Sequence, residues 1–339
     1  MESLREKYIS KQRDLSEIGI TPKFPRIIKI DICNRCNYSC IFCPQSKQEQ
    51  VAKKGDIDDD LCLKIIDDAY KAGAREICLS STGEPLMNRQ LEKYISIAKT
   101  IGYEYIFFNT NGFLMNEKRI VAFLEGGVNS VKFSINGARN DYGLIHGIEG
   151  YDKVIENLKL FDYLRKKLKA NCKLYVSYVS TKYTYVDIEQ VKSDVGKYVD
   201  DIMIMNANNR GGVADEVDNE LYSGEDDYSY KFPCSQPFNN MYITSEGYVV
   251  ACCQDFENNM VIADLHNMSV TEAWNCDAFT EFRTLFLESR YQGLLCDNCL
   301  NNTHFEITPL NDKYSRYIHS ECRVKDLKER IQRLKRKAN

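Results

Sequence analysis

The feature that most constrains the fold is a regular alternation of strand-like and helix-like segments that begins at residue 27. The helical segments carry apolar residues at helical spacing, as Leu61, Ile65 and Ala69 do in the first of them. Such alternation is typical of a parallel sheet with crossover helices. Periodicity alone leaves an open sheet and a partial barrel both possible. The predicted strands cover residues 27–32, 76–80, 104–108, 130–135, 173–179 and 201–205, and the predicted helices cover 58–72, 88–101, 116–125, 151–168 and 187–198.

The composition changes after the last of these strands. Residues 206–230 are polar, acidic and rich in Gly and Asn, which predicts a linker or mobile loop. A Cys-rich segment follows, with a predicted hairpin that turns at Glu246–Gly247. The chain ends in a basic amphipathic helix predicted over 323–338. We therefore predict an N-terminal helical extension (1–26), an α/β domain (27–230), a Cys-rich domain (231–305) and a C-terminal basic helix (306–339).

Charge and hydropathy argue against several classes of protein. The net charge is −4, which argues against a general nucleic-acid binder. The sequence has no run of 18 apolar residues, and its charged N-terminus lacks the apolar core of a signal peptide. These features predict a cytoplasmic protein without a membrane or nucleic-acid partner. Its 14 cysteines then point to metal or redox chemistry rather than to disulfides.

The most informative cysteines follow the first predicted strand. Cys36, Cys40 and Cys43 lie within eight residues, and a short loop of this kind can bind three irons of a cubane cluster and leave the fourth iron open. The alternative is a structural zinc site, which normally needs four ligands, and Cys33 is available as the fourth. Spacing alone leaves both interpretations open.

The spacing C-x3-C-x2-C, with the aromatic Phe42 before the last cysteine, resembles the signature of the radical S-adenosylmethionine (SAM) enzymes. The resemblance implies a partial (β/α)6 TIM-type barrel. It also implies that the three cysteines hold a [4Fe–4S] cluster whose open iron is chelated by SAM, with Phe42 near the adenine. Cys33 lies outside the pattern and is interpreted as a bystander.

Further matches follow successive strands. Gly83-Glu84-Pro85 resembles the GGEP motif, which in that family binds the SAM amino group, although Thr82 replaces the first Gly. Asn109 opens a segment that resembles the TNG turn, and Ser134 is placed to face the SAM ribose or carboxylate. The resemblance therefore implies cofactor contacts at these positions. Barrel active sites form where parallel strands end, so the joint placement matters more than any single motif.

The Cys-rich segment resembles the SPASM or twitch extension of the same family. Cys234, Cys252, Cys296 and Cys299 would be the ligands of one auxiliary [4Fe–4S] cluster, and a zinc ribbon is the alternative. Only Cys322 follows them, so a second auxiliary cluster is not expected.

Four further residues have several candidate roles. Cys253 adjoins a presumed ligand and is a candidate hydrogen-atom donor, with simple packing or cluster ligation as the alternatives. We expect Asp255 and Glu257 to be solvated, and a role as a base is the alternative. His146, in a predicted loop, is interpreted as a structural histidine rather than a proton acceptor or substrate contact.

The resemblance implies an oxidoreductase or epimerase that cleaves SAM to a 5′-deoxyadenosyl radical and removes a hydrogen atom from an unactivated C–H bond. Its cofactors would be SAM and two [4Fe–4S] clusters, with flavodoxin or ferredoxin as electron donor. Only about 26 residues precede the first strand, too few for a leader-peptide recognition domain, which favours a small polar substrate such as a sugar, aminocyclitol or aminoglycoside. Peptide epimerisation or thioether formation is the second hypothesis, and a non-enzymatic iron–sulfur or zinc scaffold is the third.

Overall fold

The structure is a computed structural model that describes residues 18–46, 54–208, 211–212, 221, 234–301, 303–315 and 327–338. Residues 1–17, Cys322 and most of the predicted linker lie outside the described residues. Residues 18–26 form no helix, so the predicted N-terminal helix is wrong for them. This segment packs on the Cys-rich region instead, where the indole N–H of Trp274 donates to the carbonyls of Pro22 (3.0 Å) and Lys23 (2.9 Å).

One mixed sheet of nine strands organises the described residues. Its spatial order is β6-β5-β4-β3-β2-β1-β7-β8-β9. The first seven strands in that order run parallel, and β8 and β9 complete the edge as antiparallel neighbours. The strands are β1 (Ile27–Ile30), β2 (Glu76–Cys78), β3 (Tyr105–Thr110), β4 (Ser130–Ser134), β5 (Lys173–Ser180), β6 (Asp201–Asn206), β7 (Asn240–Ile243), β8 (Tyr248–Val250) and β9 (Val261–Asp264).

The helices alternate with the strands as predicted and then continue through the Cys-rich region. In chain order they are α1 (Asp59–Ala72), α2 (Leu91–Ile101), α3 (Glu117–Glu125), α4 (Arg139–His146), α5 (Tyr151–Lys167), α6 (Ile188–Val195), α7 (Gln236–Asn239), α8 (Val270–Trp274), α9 (Asp277–Leu287), α10 (Leu295–Asn301) and α11 (Leu327–Ala338).

Helix α4 is the main local departure from the predicted pattern. The sequence predicts a loop around His146, whereas the structure has a helix there, although Gly143 lies inside it and glycine disfavours helix interiors. The helix is nevertheless formed, and its apolar side chains Tyr142, Leu144 and Ile145 are buried against the rest of the molecule. Tertiary packing therefore overrides local propensity here, and it places His146 at a helix end.

The alternation of side chains along each strand separates an apolar outer face from a more polar inner face. On β1, Ile28 and Ile30 are fully buried in the main core, whereas Lys29 lies on the opposite face. On β4 the same alternation sends Val131 to the core and Lys132 to the inner face. The polar inner face is the wall of the partial barrel, and it lies below the loops that carry the predicted site.

The Cys-rich region extends the barrel sheet. Strand β7 pairs in parallel with β1, with Ile27 opposite Asn240, and the N–H of Asp31 donates to the carbonyl of Ile243 at 2.8 Å. This pairing covers the edge of β1 that the barrel strands leave free, and unpaired strand edges are a liability in folded proteins. The composition changes near residue 231, but the sheet continues across it.

The C-terminal helix α11 covers the loop that follows β1. Ile331 and Leu334 are buried in a second apolar cluster, which also contains Ile41, Phe42, Leu144, Ile145, Val179, Ala207 and Leu221. The predicted amphipathic helix is thus present, and its apolar face packs on the loop that carries the first cysteine group. No helix in the described part of the chain is long and apolar enough to span a membrane.

Candidate active site

The first cysteine group lies on the loop directly after β1. Cys36 reaches solvent, and Cys40 and Cys43 are half-buried. Desolvation by the surrounding protein raises the pKa of Cys36 to about 12, and the neighbouring Cys43 thiolate adds to the effect. Burial likewise raises the pKa of Cys40, with further contributions from Cys43 and Cys36. The three sulfurs are therefore near enough for their charges to interact, and a bound metal would be needed to ionise them together.

Gly83 makes room for this loop. A Cβ atom at position 83 would lie 2.1 Å from the carbonyl oxygen of Cys33 and 2.6 Å from that of Arg35. The N–H of Glu84 donates to the same Arg35 carbonyl at 2.8 Å. The predicted GGEP-like segment therefore supports the cysteine loop through backbone contacts that only glycine permits at position 83.

The carboxylate of Glu84 joins two loops at the top of the barrel. One oxygen accepts hydrogen bonds from the hydroxyl of Thr110 (2.7 Å) and the N–H of Leu86 (3.0 Å), and the other accepts from the N–H of Asn111 (2.7 Å). Burial raises the pKa of Glu84, and these bonds oppose that shift. The side chain is only 3% exposed, so we propose that Glu84 acts on the cofactor by holding the loops and not by direct contact.

The other residues predicted to contact SAM lie around the same opening. Pro85 is buried and begins a short 3-10 helix, Pro85–Met87. Phe42 is buried in the apolar cluster under α11. On the inner face, the backbone N–H of Asn109 donates to the Ser80 hydroxyl (2.9 Å). The hydroxyl of Ser134 lies 3.5 Å from that of Ser177 there. Their cofactor contacts stay predictions.

Two charged residues near this loop were not identified from the sequence. Asp31 accepts from the N–H of Thr82 (3.2 Å) and bonds its hydroxyl, so Thr82 has a partner that glycine would lack. Burial, opposed by these bonds, raises the pKa of Asp31 to about 6. Lys54 donates to the carbonyl of Asn34 at 3.4 Å. Burial lowers the Lys54 pKa, while the charges of Glu257, Cys43 and Asp31 oppose that shift.

His146 lies against the middle cysteine of the loop. Its Nδ1 is 3.2 Å from the sulfur of Cys40, and its Nε2 is 3.2 Å from the backbone N–H of Asn136. The ring is 1% exposed, and burial followed by the charge of Arg330 lowers the pKa of His146 to about 3. The histidine is therefore buried and neutral at physiological pH.

The second cysteine group is assembled from three separate segments. Cys234 precedes α7, Cys252 follows β8, and Cys296 and Cys299 lie one turn apart on α10. The pKa of Cys296 is raised by burial and then by Cys299 and Cys234, and that of Cys252 is also raised by Cys234 and Cys299. The structure therefore brings the four predicted ligands into one neighbourhood.

Cys253 belongs to the same neighbourhood. A hydrogen bond between the Cys253 and Cys252 thiols is the largest cause of the raised Cys252 pKa. Cys253 also packs on an apolar cluster that contains Tyr242, Val250 and Val261, and Tyr242 lies on the inner face beside Lys29. Cys253 thus adjoins both the candidate ligands and the barrel interior.

The loop after Cys253 is held by buried carboxylates. Asp255 is 3% exposed and accepts from the N–H groups of Asn259 (2.9 Å) and Met260 (2.7 Å). Burial raises its pKa to about 6. Glu257 is 6% exposed. The prediction that both were solvated is wrong, because the loop folds back on the protein and needs acceptors for its own backbone N–H groups.

The donor sets suit iron–sulfur clusters. The first loop carries three thiols and the second group has four, and thiolates are the ligands that such clusters use. The absence of a side chain at Gly83 leaves room for the backbone of the first loop. In the described part of the chain, no three His, Cys, Asp or Glu side chains converge closely enough to bind a single metal ion.

Between the two cysteine groups, the inner face carries polar side chains. The amine of Lys29 donates to the hydroxyl of Tyr242 at 3.2 Å and lies over its ring. Burial lowers the pKa of Lys132 to about 8, opposed by Cys78 and assisted by Lys29. These amines, with the hydroxyls of Ser134 and Ser177, form a polar wall that can hydrogen-bond a polar molecule.

Comparison with known proteins identifies the class. Residues 30–192 match the family model of the radical SAM superfamily, and residues 234–300 match SPASM, an iron–sulfur cluster-binding domain. The chain belongs to the radical SAM superfamily. It is thus a radical SAM enzyme, an oxidoreductase or epimerase, with a SPASM domain, and its cofactors are SAM and two iron–sulfur clusters.

Among curated proteins, this radical SAM chain is 24% identical over 286 residues to an S-adenosyl-L-methionine-dependent 2-deoxy-scyllo-inosamine dehydrogenase from Niallia circulans, covering 81% of this chain and 92% of that protein. It is 29% identical over 136 residues to a probable GTP 3′,8-cyclase from Saccharolobus solfataricus, covering 39% of this chain and 42% of the other.

Among solved structures, BtrN in complex with AdoMet and 2-DOIA aligns with a TM-score of 0.56 and 19% identity over 87% of this chain and 98% of that one. SuiB from Streptococcus suis bound to its precursor peptide SuiA aligns with a TM-score of 0.62 and 14% identity over 78% and 68% of the two chains. At these identities the structural likeness shows the fold alone.

Proposed function

We propose that this radical SAM enzyme oxidises a hydroxyl-bearing carbon of a small polar substrate, of the sugar, aminocyclitol or aminoglycoside class. The observation that carries the proposal is the polar inner wall, bearing Lys29, Lys132 and Ser134, between two groups of thiols. Support also comes from the similarity to the Niallia circulans dehydrogenase, which extends over most of both chains.

When bound, the cofactors supply a 5′-deoxyadenosyl radical that takes the hydrogen atom and an auxiliary cluster that accepts one electron, while the hydroxyl proton leaves to solvent. We assign Cys36, Cys40 and Cys43 to the SAM-binding cluster and Cys234, Cys252, Cys296 and Cys299 to the auxiliary cluster. Gly83 and Glu84 position the cysteine loop, and Phe42, Pro85, Asn109 and Ser134 border the SAM site. The inner-face amines and hydroxyls orient the substrate hydroxyls, and orientation of this kind lowers the barrier by fixing the reacting groups in place.

Epimerisation is the second candidate reaction. The observation that favours it is the position of Cys253, which packs beside Tyr242 on the inner face and can return a hydrogen atom to a substrate radical. A flavodoxin or ferredoxin is the proposed electron donor in either case, and the cytoplasm is the proposed location.

Anaerobic turnover tests the proposal. Reconstituted enzyme should contain about eight irons per chain, as expected for two cubane clusters. It should form 5′-deoxyadenosine in step with a product two mass units lighter than the substrate, using a panel of aminocyclitols, sugars and aminoglycosides. Peptides serve as the comparison panel. Turnover of peptides alone would contradict the small-substrate proposal, and a product of unchanged mass would favour epimerisation.

A further inference from the structure

The contacts of His146 go beyond those of a packing residue. Its ring packs against two tyrosines, with ring centroids 4.1 Å from Tyr142 and 5.3 Å from Tyr38. Both ring nitrogens have partners at hydrogen-bond distance, Cys40 on one side and Asn136 on the other. The imidazole therefore has one fixed orientation.

The partner at Nε2 determines which nitrogen carries the proton. A backbone N–H can only donate, so the N–H of Asn136 requires a lone pair on Nε2. An imidazole with a lone pair on Nε2 carries its hydrogen on Nδ1, which lies 3.2 Å from the sulfur of Cys40. The hydrogen bond consequently runs from His146 to Cys40, with sulfur as the acceptor.

The main chain holds this hydrogen bond in place. The N–H of Ser39 donates to the carbonyl of His146 and that of Ile41 to the carbonyl of Ile145, each at 3.0 Å. A Cβ atom at Gly147 would lie 2.0 Å from the hydroxyl of Ser39. The cysteine loop and the end of α4 are thus docked at close range on both sides of Cys40.

Helix α11 adds a clamp across the same junction. The guanidinium of Arg330 donates to the carbonyls of Leu144 (2.7 Å) and Ile145 (3.0 Å) at the end of α4, and to the carbonyl of Ser39 (2.9 Å) in the cysteine loop. A cation at a helix C-terminus is also favoured by the helix dipole. Arg330 therefore joins the two segments whose separation sets the distance from His146 to Cys40.

Hydrogen bonds to cluster sulfurs are one of the means by which a protein sets a cluster's reduction potential. A donor withdraws charge from the thiolate and stabilises the reduced cluster, which carries one more negative charge. We propose that His146 is a positioning residue that raises the reduction potential of the SAM-binding cluster by donating Nδ1–H to the Cys40 thiolate, with Arg330 fixing the distance. The inference rests on the proposed assignment of Cys40 to that cluster.

The test is a redox titration of the reconstituted holoenzyme followed by electron paramagnetic resonance. The SAM-binding cluster is recognised by the change in its signal when SAM is added, and the auxiliary cluster serves as an internal reference. His146→Leu should lower the reduced-to-oxidised ratio of the SAM-responsive cluster about tenfold at a fixed potential, equivalent to about 59 mV for one electron. The auxiliary cluster should keep its potential.

Two further variants separate the hydrogen bond from packing. His146→Asn places an N–H donor near the position of Nδ1 and should restore most of the wild-type potential, whereas His146→Gln places its donor near Nε2 and should not. The comparison of His146→Asn with His146→Gln tests the hydrogen bond even if His146→Leu fails to bind its cluster. Equal potentials in His146→Asn and His146→Gln, or a wild-type potential in His146→Leu, would overturn the inference.

A separate outcome addresses the proposed function. A wild-type holoenzyme with no SAM-responsive cluster would contradict the assignment of Cys40 itself, before any His146 variant is measured. Exchangeable-proton coupling to the reduced cluster, measured by electron–nuclear double resonance, should be weakened in His146→Leu and retained in His146→Asn. Arg330→Met should shift the potential in the same direction as His146→Leu, by a smaller factor.

Discussion

The two cysteine regions of this enzyme are built in different ways. Cys36, Cys40 and Cys43 lie on one continuous loop, which is braced from outside by Gly83, by the end of α4 and by Arg330 of α11. The second group draws Cys234, Cys252, Cys296 and Cys299 from three segments that meet only in the folded chain.

This difference has a thermodynamic consequence. A loop that carries all its ligands keeps them close in sequence even when the surrounding fold loosens. A group gathered from distant segments exists only in the folded state, so binding at that group is coupled to folding. We therefore expect changes in the first region to affect chemistry, and changes in the second region to affect stability as well.

The largest expected effect comes from removing a cysteine of the first loop. Cys36→Ala, Cys40→Ala or Cys43→Ala should each abolish SAM cleavage, because the open-iron cluster needs all three thiolates, and about half of the iron should remain. Iron content and 5′-deoxyadenosine formation are the measurements. Cys33→Ala is the matched control, since Cys33 is buried in the main core. Loss of the SAM-responsive signal in Cys33→Ala, with Cys36→Ala unaffected, would show that the ligand assignment is out of register.

Next in size is the removal of one thiol from the second group. Cys252→Ala should lose the auxiliary cluster and melt at a lower temperature, because its ligands join separate segments, while SAM cleavage persists. Cys253→Ala should keep both clusters. Loss of the auxiliary cluster from Cys253→Ala, but not from Cys252→Ala, would show that Cys253 is the cluster ligand and Cys252 is not.

Cys253→Ala also separates the two candidate reactions. A dehydrogenase should be nearly unaffected by it, whereas an epimerase should still form 5′-deoxyadenosine but lose the inverted product. Turnover in deuterated water gives an independent result, since a thiol would deliver deuterium to the reacting carbon.

Two buried arginines, one beside each cysteine region, test the same comparison with a smaller expected effect. Arg283 is fully buried, donates to the carbonyls of Pro237 (3.1 Å) and Trp274 (2.9 Å), and stacks on Phe279. Arg283→Met should destabilise the holoenzyme by about 3 kcal/mol, since it leaves buried carbonyls without donors. Arg330→Met should have less effect on global unfolding and should release α11 locally, detected as faster proteolysis of the C-terminal helix. Equal losses of global stability in the two variants would remove the distinction between the regions.

The smallest effects are expected at two glycines with positive φ, one in each region. Gly147 has φ +76°, and a Cβ there would meet the Ser39 carbonyl at 2.9 Å as well as its hydroxyl. Gly247 has φ +81°, and a Cβ there would meet the movable end of Leu61 at 2.6 Å. Left-handed conformations cost alanine about 1–2 kcal/mol. Gly147→Ala should therefore be the more costly and should perturb the SAM-responsive signal, whereas Gly247→Ala should lower only the melting temperature. The reverse ranking would contradict the close docking of α4 on the cysteine loop.

The sequence alone determined the features that depend on short spacings. Strand–helix alternation predicted all six barrel strands and every α-helix between them except α4, because the periodicity of apolar residues reports directly which face of each element is buried. The first cysteine motif could also be recognised from the sequence, since its residues lie within a single loop. The helix at α4 was missed because Gly143 weakens the local signal, and the burial that compensates for it is tertiary.

Only the tertiary structure decided how distant segments meet. It pairs β7 with β1, so that the Cys-rich region extends the barrel sheet, and it buries Asp255 and Glu257, two side chains that the sequence predicts to be solvated. It also brings His146 and Arg330, separated from Cys40 by 106 and 290 positions in the sequence, to the two sides of the same loop. Neither residue belongs to a motif, because a single hydrogen bond across the fold imposes no spacing along the chain. The cysteine ligands can be recognised from residues that are neighbours in the sequence. The surroundings of those ligands depend on packing between residues that are far apart in the sequence.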